Sequence, residues 1–136
     1  MRFKMKKEDL LKSALDAVTV RGSAYGDAYT NHKRIADIWS VILQTKVRPD
    51  QVAPMMIGVK LARLVETPDH QDSYIDIAGY AATGSQVKED EKLTFNYLSN
   101  NEPERKENET VEQFNARYDD WAIKLEEAAG LENVDD

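Results

Sequence analysis

The segment from Val52 to Val65 constrains the fold more than any other part of the chain. Val52, Ala53, Met55, Met56, Ile57, Val59, Leu61, Ala62, Leu64 and Val65 leave a helix here with no evident wet face, so a largely buried helix is expected. Lys60 and Arg63 interrupt it, and at about 100° per residue they project within roughly 60° of each other. Buried charges left unpaired are costly, so these two cations need anionic partners. The next segment offers Asp72 and Asp76, which share a helical face with Gly79 and Thr83 while Ile75, Ile77, Ala78 and Ala81 lie opposite. The expectation is a charge cluster built from two adjacent helices.

The rest of the chain reads as more helices. Leu10, Leu11, Ala14, Leu15 and Val18 predict a first helix over about residues 7–20, with Gly22 as its stop. The turn-like stretch from Arg21 to Asp27 carries two glycines around Tyr25, which let the backbone approach another surface. A second helix over residues 27–43 has Ile35, Ile38, Trp39 and Ile42 as its apolar stripe. Asn31 falls on that stripe, as a structural hydrogen bonder or a ligand contact, and His32 is expected at the surface. Asp50 is the expected N-cap of the third helix, which starts near Gln51 and has Pro54 in its first turn. Pro68 breaks it, and residues 70–83 form a fourth helix closed by Gly84. Short links between four helices predict an all-α bundle.

Residues 86–99 show no clear preference, and residues 100–109 read as a polar linker containing Pro103. Thr110 and Gln113 have the spacing of a capping box. After it, Val111, Phe114, Tyr118, Trp121, Leu125 and Ala128 form an apolar stripe that predicts a docking or dimerising helix, with Gly130 as its stop. The chain therefore divides into a helical body, residues 1–85, and a C-terminal extension, residues 86–136.

Charge sharpens that division. Of the net −7, residues 1–85 contribute +2 (12 Lys+Arg against 10 Asp+Glu) and residues 86–136 contribute −9 (6 against 15). An acidic extension repels phosphates, so general nucleic-acid binding is not expected there; it is a solvated segment or a surface for a basic partner. No cysteine is present, which removes disulfides and thiolate chemistry. No apolar run has the length of a membrane span, and the basic start lacks the apolar stretch of a signal peptide, so a cytoplasmic location without membrane contact is expected. Glycine-rich phosphate loops, nucleophile triads and zinc spacings are absent. Asp72 and Asp76, at i and i+4, are left with two readings. They could hold a magnesium ion that bridges substrate phosphates, or they neutralise Lys60 and Arg63.

Several of these residues together resemble a small domain common in phage and prophage genomes. They are Arg21, Tyr25-Gly26-Asp27, Asn31, Ile35-Ala36, Trp39, Lys60-Leu61-Ala62-Arg63, His70-Gln71-Asp72-Ser73 and Asp76-Ile77-Ala78-Gly79-Tyr80. The helical layout is similar to the MazG-like all-α nucleoside triphosphate pyrophosphatases, which include dimeric dUTPases. That resemblance implies a four-helix MazG-like bundle with an added C-terminal helix, a homodimer or higher oligomer, and magnesium-dependent release of pyrophosphate from a nucleoside triphosphate. Under that activity, Asp72 and Asp76 are the expected metal ligands, Lys60 and Arg63 are expected to neutralise substrate phosphates, and Tyr25, Asn31 and Tyr80 are candidates for base or sugar contacts. The chain departs from the pattern of that superfamily. Two glutamates of its first acidic helix fall on Lys60 and Arg63, Asp76 matches the second helix, and Asp72 is one residue off. Replacing acids by bases reverses the local field, so a second reading stands beside the first. In it the protein is non-catalytic and engages a host factor through its acidic segment.

Overall fold

Gly26 and Asp27 set the first break in the chain. Helix α1 (Lys7–Tyr25) runs through Gly22, the expected stop, and ends at Gly26, whose φ of 80° lies in the region that favours glycine. A glycine inside a helix is tolerated at about 1 kcal/mol, whereas the backbone at Gly26 strains any other residue. Asp27 then caps α2 (Ala28–Leu43): its carboxylate accepts the Thr30 hydroxyl at 2.6 Å and the Thr30 N–H at 2.9 Å. Those two bonds, the hydroxyl first, hold the Asp27 pKa below its usual 3.8. The computed structural model describes residues 4–129, except for the side chains of residues 21–25.

Ser40 ties α2 to the next helix. Its hydroxyl donates to the Ala36 carbonyl at 2.7 Å and accepts the Val47 N–H at 2.8 Å, while Gln44 turns the chain at φ 53°. Helix α3 (Pro49–Glu66) begins with proline at a position where no N–H is needed. Asp50 is not its cap, as expected from sequence, but sits one residue inside it. The Asp50 carboxylate meets Arg48 Nε at 3.0 Å and Lys88 Nζ at 3.1 Å. Burial raises its pKa, but Arg48 and Lys88 outweigh that and bring it below 3.8.

Helix α4 (Gln71–Asn100) contains Gly84 instead of stopping there. The pairs Asp50–Lys88 and Lys60–Asp76 set α3 and the first part of α4 antiparallel. Between those pairs, a Cβ on Gly84 would lie 2.8 Å from the Cβ of Ala53. Glycine is there because the two helices touch. With α5 (Val111–Ala129) the chain is all-α, with no strand among the described residues. It divides into two compact units, Met1–Lys88 and Glu89–Asp136.

The first unit has a small core. Ala36, Val47 and Val52 are buried, with Ile35, Trp39 and Met56 packed around them, and Ala14, Ala53 and Val87 are buried elsewhere. No buried apolar side chain among the described residues is larger than valine. The expectation of a largely buried α3 is therefore corrected. Only Val52 and Ala53 are buried on it, and Met55, Val59, Leu61 and Val65 are exposed, Val65 by 84%. Its neighbours cover one side of a helix that is apolar on all sides. On α2 the inward stripe is His32 and Ala36, buried, with Ile35 and Trp39 partly buried, one residue round from the expected one, and Ile38 and Ile42 are exposed.

In the second unit, α5 turns back on the segment before it. Thr110 and Gln113 exchange N–H bonds at 3.2 and 3.1 Å, the expected capping box. The Trp121 indole N–H donates to the Leu98 carbonyl at 2.7 Å, and the Tyr118 hydroxyl donates to Glu102 at 3.1 Å. Phe114, Tyr118 and Trp121 stack in sequence, with centroids 5.9 and 5.2 Å apart. Arg117 grips Glu109 with two nitrogens, at 2.6 and 2.7 Å, and donates to the Glu104 carbonyl at 2.9 Å. The linker expected over residues 100–109 is thus a tethered turn that begins after Asn100, the last residue of α4. The expected stop at Gly130 lies outside the described residues.

Candidate functional site

Four helices of the first unit enclose a cavity of about 510 Å³. Its walls are mostly apolar: Val18 from α1, Ile35 from α2, Val52 and Met56 from α3, and Ile75 from α4. Among the described residues, its polar groups are Asn31 and His32 on α2, and Asp76, Tyr80 and Thr83 on α4. The i, i+3, i+7 spacing of Asp76, Gly79 and Thr83 places all three on the cavity face of α4. Gly79 keeps that wall thin, since a Cβ there would already touch Val18 at 3.5 Å.

Asp76 is 9% exposed, and its Oδ2 lies 2.8 Å from the Lys60 ammonium. The expected pairing of cations and carboxylates is therefore met by one pair. Arg63 is exposed, and its guanidinium approaches His70 Nε2 at 3.4 Å instead of a carboxylate. His70 starts α4: its Nδ1 accepts the Ser73 N–H at 3.2 Å and lies 2.8 Å from the Ser73 hydroxyl. An accepting Nδ1 leaves the proton of the neutral ring on Nε2, so the Arg63 contact is weak. Asp72 is exposed and does not line the cavity.

Of the residues singled out from sequence, Asn31, Asp76 and Tyr80 come together on one cavity, and Lys60 joins them through Asp76. Asp72 and Arg63 stand outside it. The Tyr25 side chain lies outside the described residues. A magnesium site on Asp72 and Asp76 does not fit this arrangement. The inward carboxylate is already neutralised by an ammonium, and among the described residues no three His, Cys, Asp or Glu side chains converge on one point.

Sequence reasoning missed His32. It was expected at the surface but is 4% exposed and lines the cavity, with no hydrogen-bond partner for its Nδ1 among the described residues. Burial pushes the pKa of its ring below the usual 6.5, which keeps it neutral. The signal was present: His32 stands three, four and seven residues before Ile35, Ala36 and Trp39, which is the spacing of one helical face.

The fold and cavity define a small all-α domain with a polar-edged apolar pocket. The chain belongs to the family described as Domain of unknown function (DUF6378), whose model matches residues 9–88. It is 45% identical over 75 residues to the Gene 55 protein of Mycobacterium phage L5, across 53% of this chain and 48% of that protein. Against the Gene 55 protein of Mycobacterium phage D29 the identity is 37% over 70 residues, covering 52% and 46%. The chain spans about half the length of these curated relatives. No solved structure matches it. No helix among the described residues is long and apolar enough to cross a membrane.

Proposed function

We propose that the first unit binds a nucleotide, with the nucleoside in the cavity and the phosphates outside it near Lys60 and Arg63. The observation that carries this reading is the cavity itself, of a size that holds a nucleoside and with polar groups on a few edges of apolar walls. The Asp76 carboxylate faces inward, where it repels phosphate and accepts from a hydroxyl or amino group. Lys60, behind it and 28% exposed, has its ammonium within reach of solvent. The likeness in helical layout to the MazG-like pyrophosphatases supports the same ligand class. It extends the proposal to cleavage of a nucleoside triphosphate, supplied as its magnesium complex, into monophosphate and pyrophosphate. Calorimetric titration with ribo- and deoxynucleoside triphosphates tests binding, and pyrophosphate release tests the reaction. Absence of binding by every nucleotide overturns the proposal; binding without turnover removes only its catalytic part.

The unit is also proposed to act as a homodimer. A core with nothing larger than valine leaves Ile38, Val41 and Ile42 of α2, and Met55, Val59 and Val65 of α3, exposed. Apolar surface on that scale marks an association face. Light scattering that returns the mass of one chain at micromolar concentration refutes it. The acidic balance of residues 86–136 favours a second reading, in which this segment binds a basic host protein. Pull-downs with and without residues 89–136 test it, and an unchanged set of partners rules it out.

A further inference from the structure

A histidine as buried as His32, 4% exposed, normally has both ring nitrogens satisfied, because an unmet polar atom away from water costs stability. His32 does not: its Nδ1 has no partner among the described residues, although Asn31 stands next to it on the same helix and both line the cavity. An aliphatic side chain would fill the same place on the buried stripe without that cost. The polar ring is thus retained at a position where folding gains nothing from it, on the wall of the one cavity that carries the candidate site. The opposing walls, Val52, Met56 and Ile75, are apolar and suit the faces of a flat ring.

We infer that His32 is the specificity-determining residue of this site, hydrogen-bonding through its imidazole to a polar atom on the edge of the ligand's heterocyclic base. The inference rests on the nucleotide-binding reading and adds the residue that distinguishes one base from another. A neutral imidazole offers one donor and one acceptor, and the Asn31 amide offers both, so the two read a donor–acceptor pattern that differs between bases. A base that pairs with His32 gains a hydrogen bond that the other bases lack, and is preferred by that difference.

The test is calorimetric titration of the full chain with nucleoside triphosphates of each base, and with inorganic tripolyphosphate as a probe lacking a base. Wild type, His32→Leu and His32→Gln are compared. The wild type is expected to prefer one base. His32→Leu is expected to lose at least about tenfold for that nucleotide and to level the preference, with tripolyphosphate binding unchanged. Its melting temperature should hold or rise, since an unmet polar atom is removed. His32→Gln, which keeps a donor and an acceptor, is expected to keep a preference, in altered order. If His32→Leu does not fold, His32→Gln decides alone, and an unaltered order of preference overturns the inference. It is also overturned if His32→Leu keeps the wild-type preference, if tripolyphosphate binding falls in parallel, or if the wild type binds all bases equally. In each of those cases nucleotide binding itself stands, whereas a wild type that binds no nucleotide removes both readings.

Discussion

The Cβ position of Gly84 lies 2.8 Å from the Cβ of Ala53, closer than two carbon atoms of side chains approach each other. On an open helix, alanine for glycine stabilises by up to about 1 kcal/mol. Here the added methyl must part α3 from α4, and overpacking of that kind costs about 1–3 kcal/mol. Gly84→Ala is therefore expected to lower the stability of the first unit, and adding Ala53→Gly is expected to recover part of the loss. Chemical denaturation measures both, and a Gly84→Ala chain as stable as wild type refutes the close contact.

Lys60 and Asp76 form a partly buried pair, so removing one partner should cost more than the pair contributes. Breaking fully buried pairs costs about 3–5 kcal/mol, and with Lys60 28% exposed a smaller figure of about 1–3 kcal/mol is expected for Lys60→Met. Asp76→Asn and the double variant complete a mutant cycle. A coupling energy indistinguishable from zero would show that the two side chains do not support each other.

His32 gives the first unit a pH dependence with a definite sign. Its folded pKa is depressed below 6.5, so above 6.5, where the ring is neutral in both states, it carries no protonation penalty and stability is at its full value. As pH falls from there toward the folded value, the unfolded chain takes up the proton first and stability is lost. The cavity groups facing His32 from α4 are Asp76 and Tyr80. Melting temperatures from pH 7.5 to about 5 are expected to fall less steeply for His32→Leu than for wild type. Parallel slopes would contradict the burial of a neutral ring.

Glu109 does the same for the second unit, at lower pH. Arg117 first, and the Lys106 N–H second, push its pKa from 4.5 down to about 2. Its contribution is complete above 4.5 and is lost as pH falls from 4.5 toward 2. In a Trp39→Phe background, Trp121 emission reports the tethered turn alone. Arg117→Met is expected to give at neutral pH the emission that wild type shows only in acid. Identical emission from the two chains at neutral pH would mean the turn holds without this pair.

The helices were legible because their apolar periods and breakers are local. Pro68 and the Thr110–Gln113 box act within a few residues, and the structure has each where the sequence places it, whereas Asp27, expected inside the second helix, is its cap. What failed was long-range. Gly84 reads as a stop in isolation, and only the approach of Ala53 explains it as a contact. Leu61 and Val65 read as buried because apolarity shows that a surface can be covered, not which neighbour covers it. At the site, the faces of α2 and α4 were readable to within one residue, which put Asn31 and Asp76 on the list and left His32 off, while Tyr80 came from the resemblance. Arg63 was assigned a carboxylate because charge pairing is the cheaper guess, whereas the start of α4 places His70 beside it.

The Ser40 hydroxyl, which joins Ala36 to Val47, bears on the order in which the domain assembles. It closes the α2–α3 connection through a bond spanning 7 residues, and such short loops form early. The bonds that bring α4 to α3 span as many as 38 residues and carry a larger entropy of closure. Asp76, Gly79, Tyr80 and Thr83 therefore arrive last, and the pocket exists only once the slowest contacts are made. A molecule that occupies it selects the finished chain over every earlier intermediate, so its effect should appear in the rate of unfolding and not in the rate at which the α2–α3 connection forms.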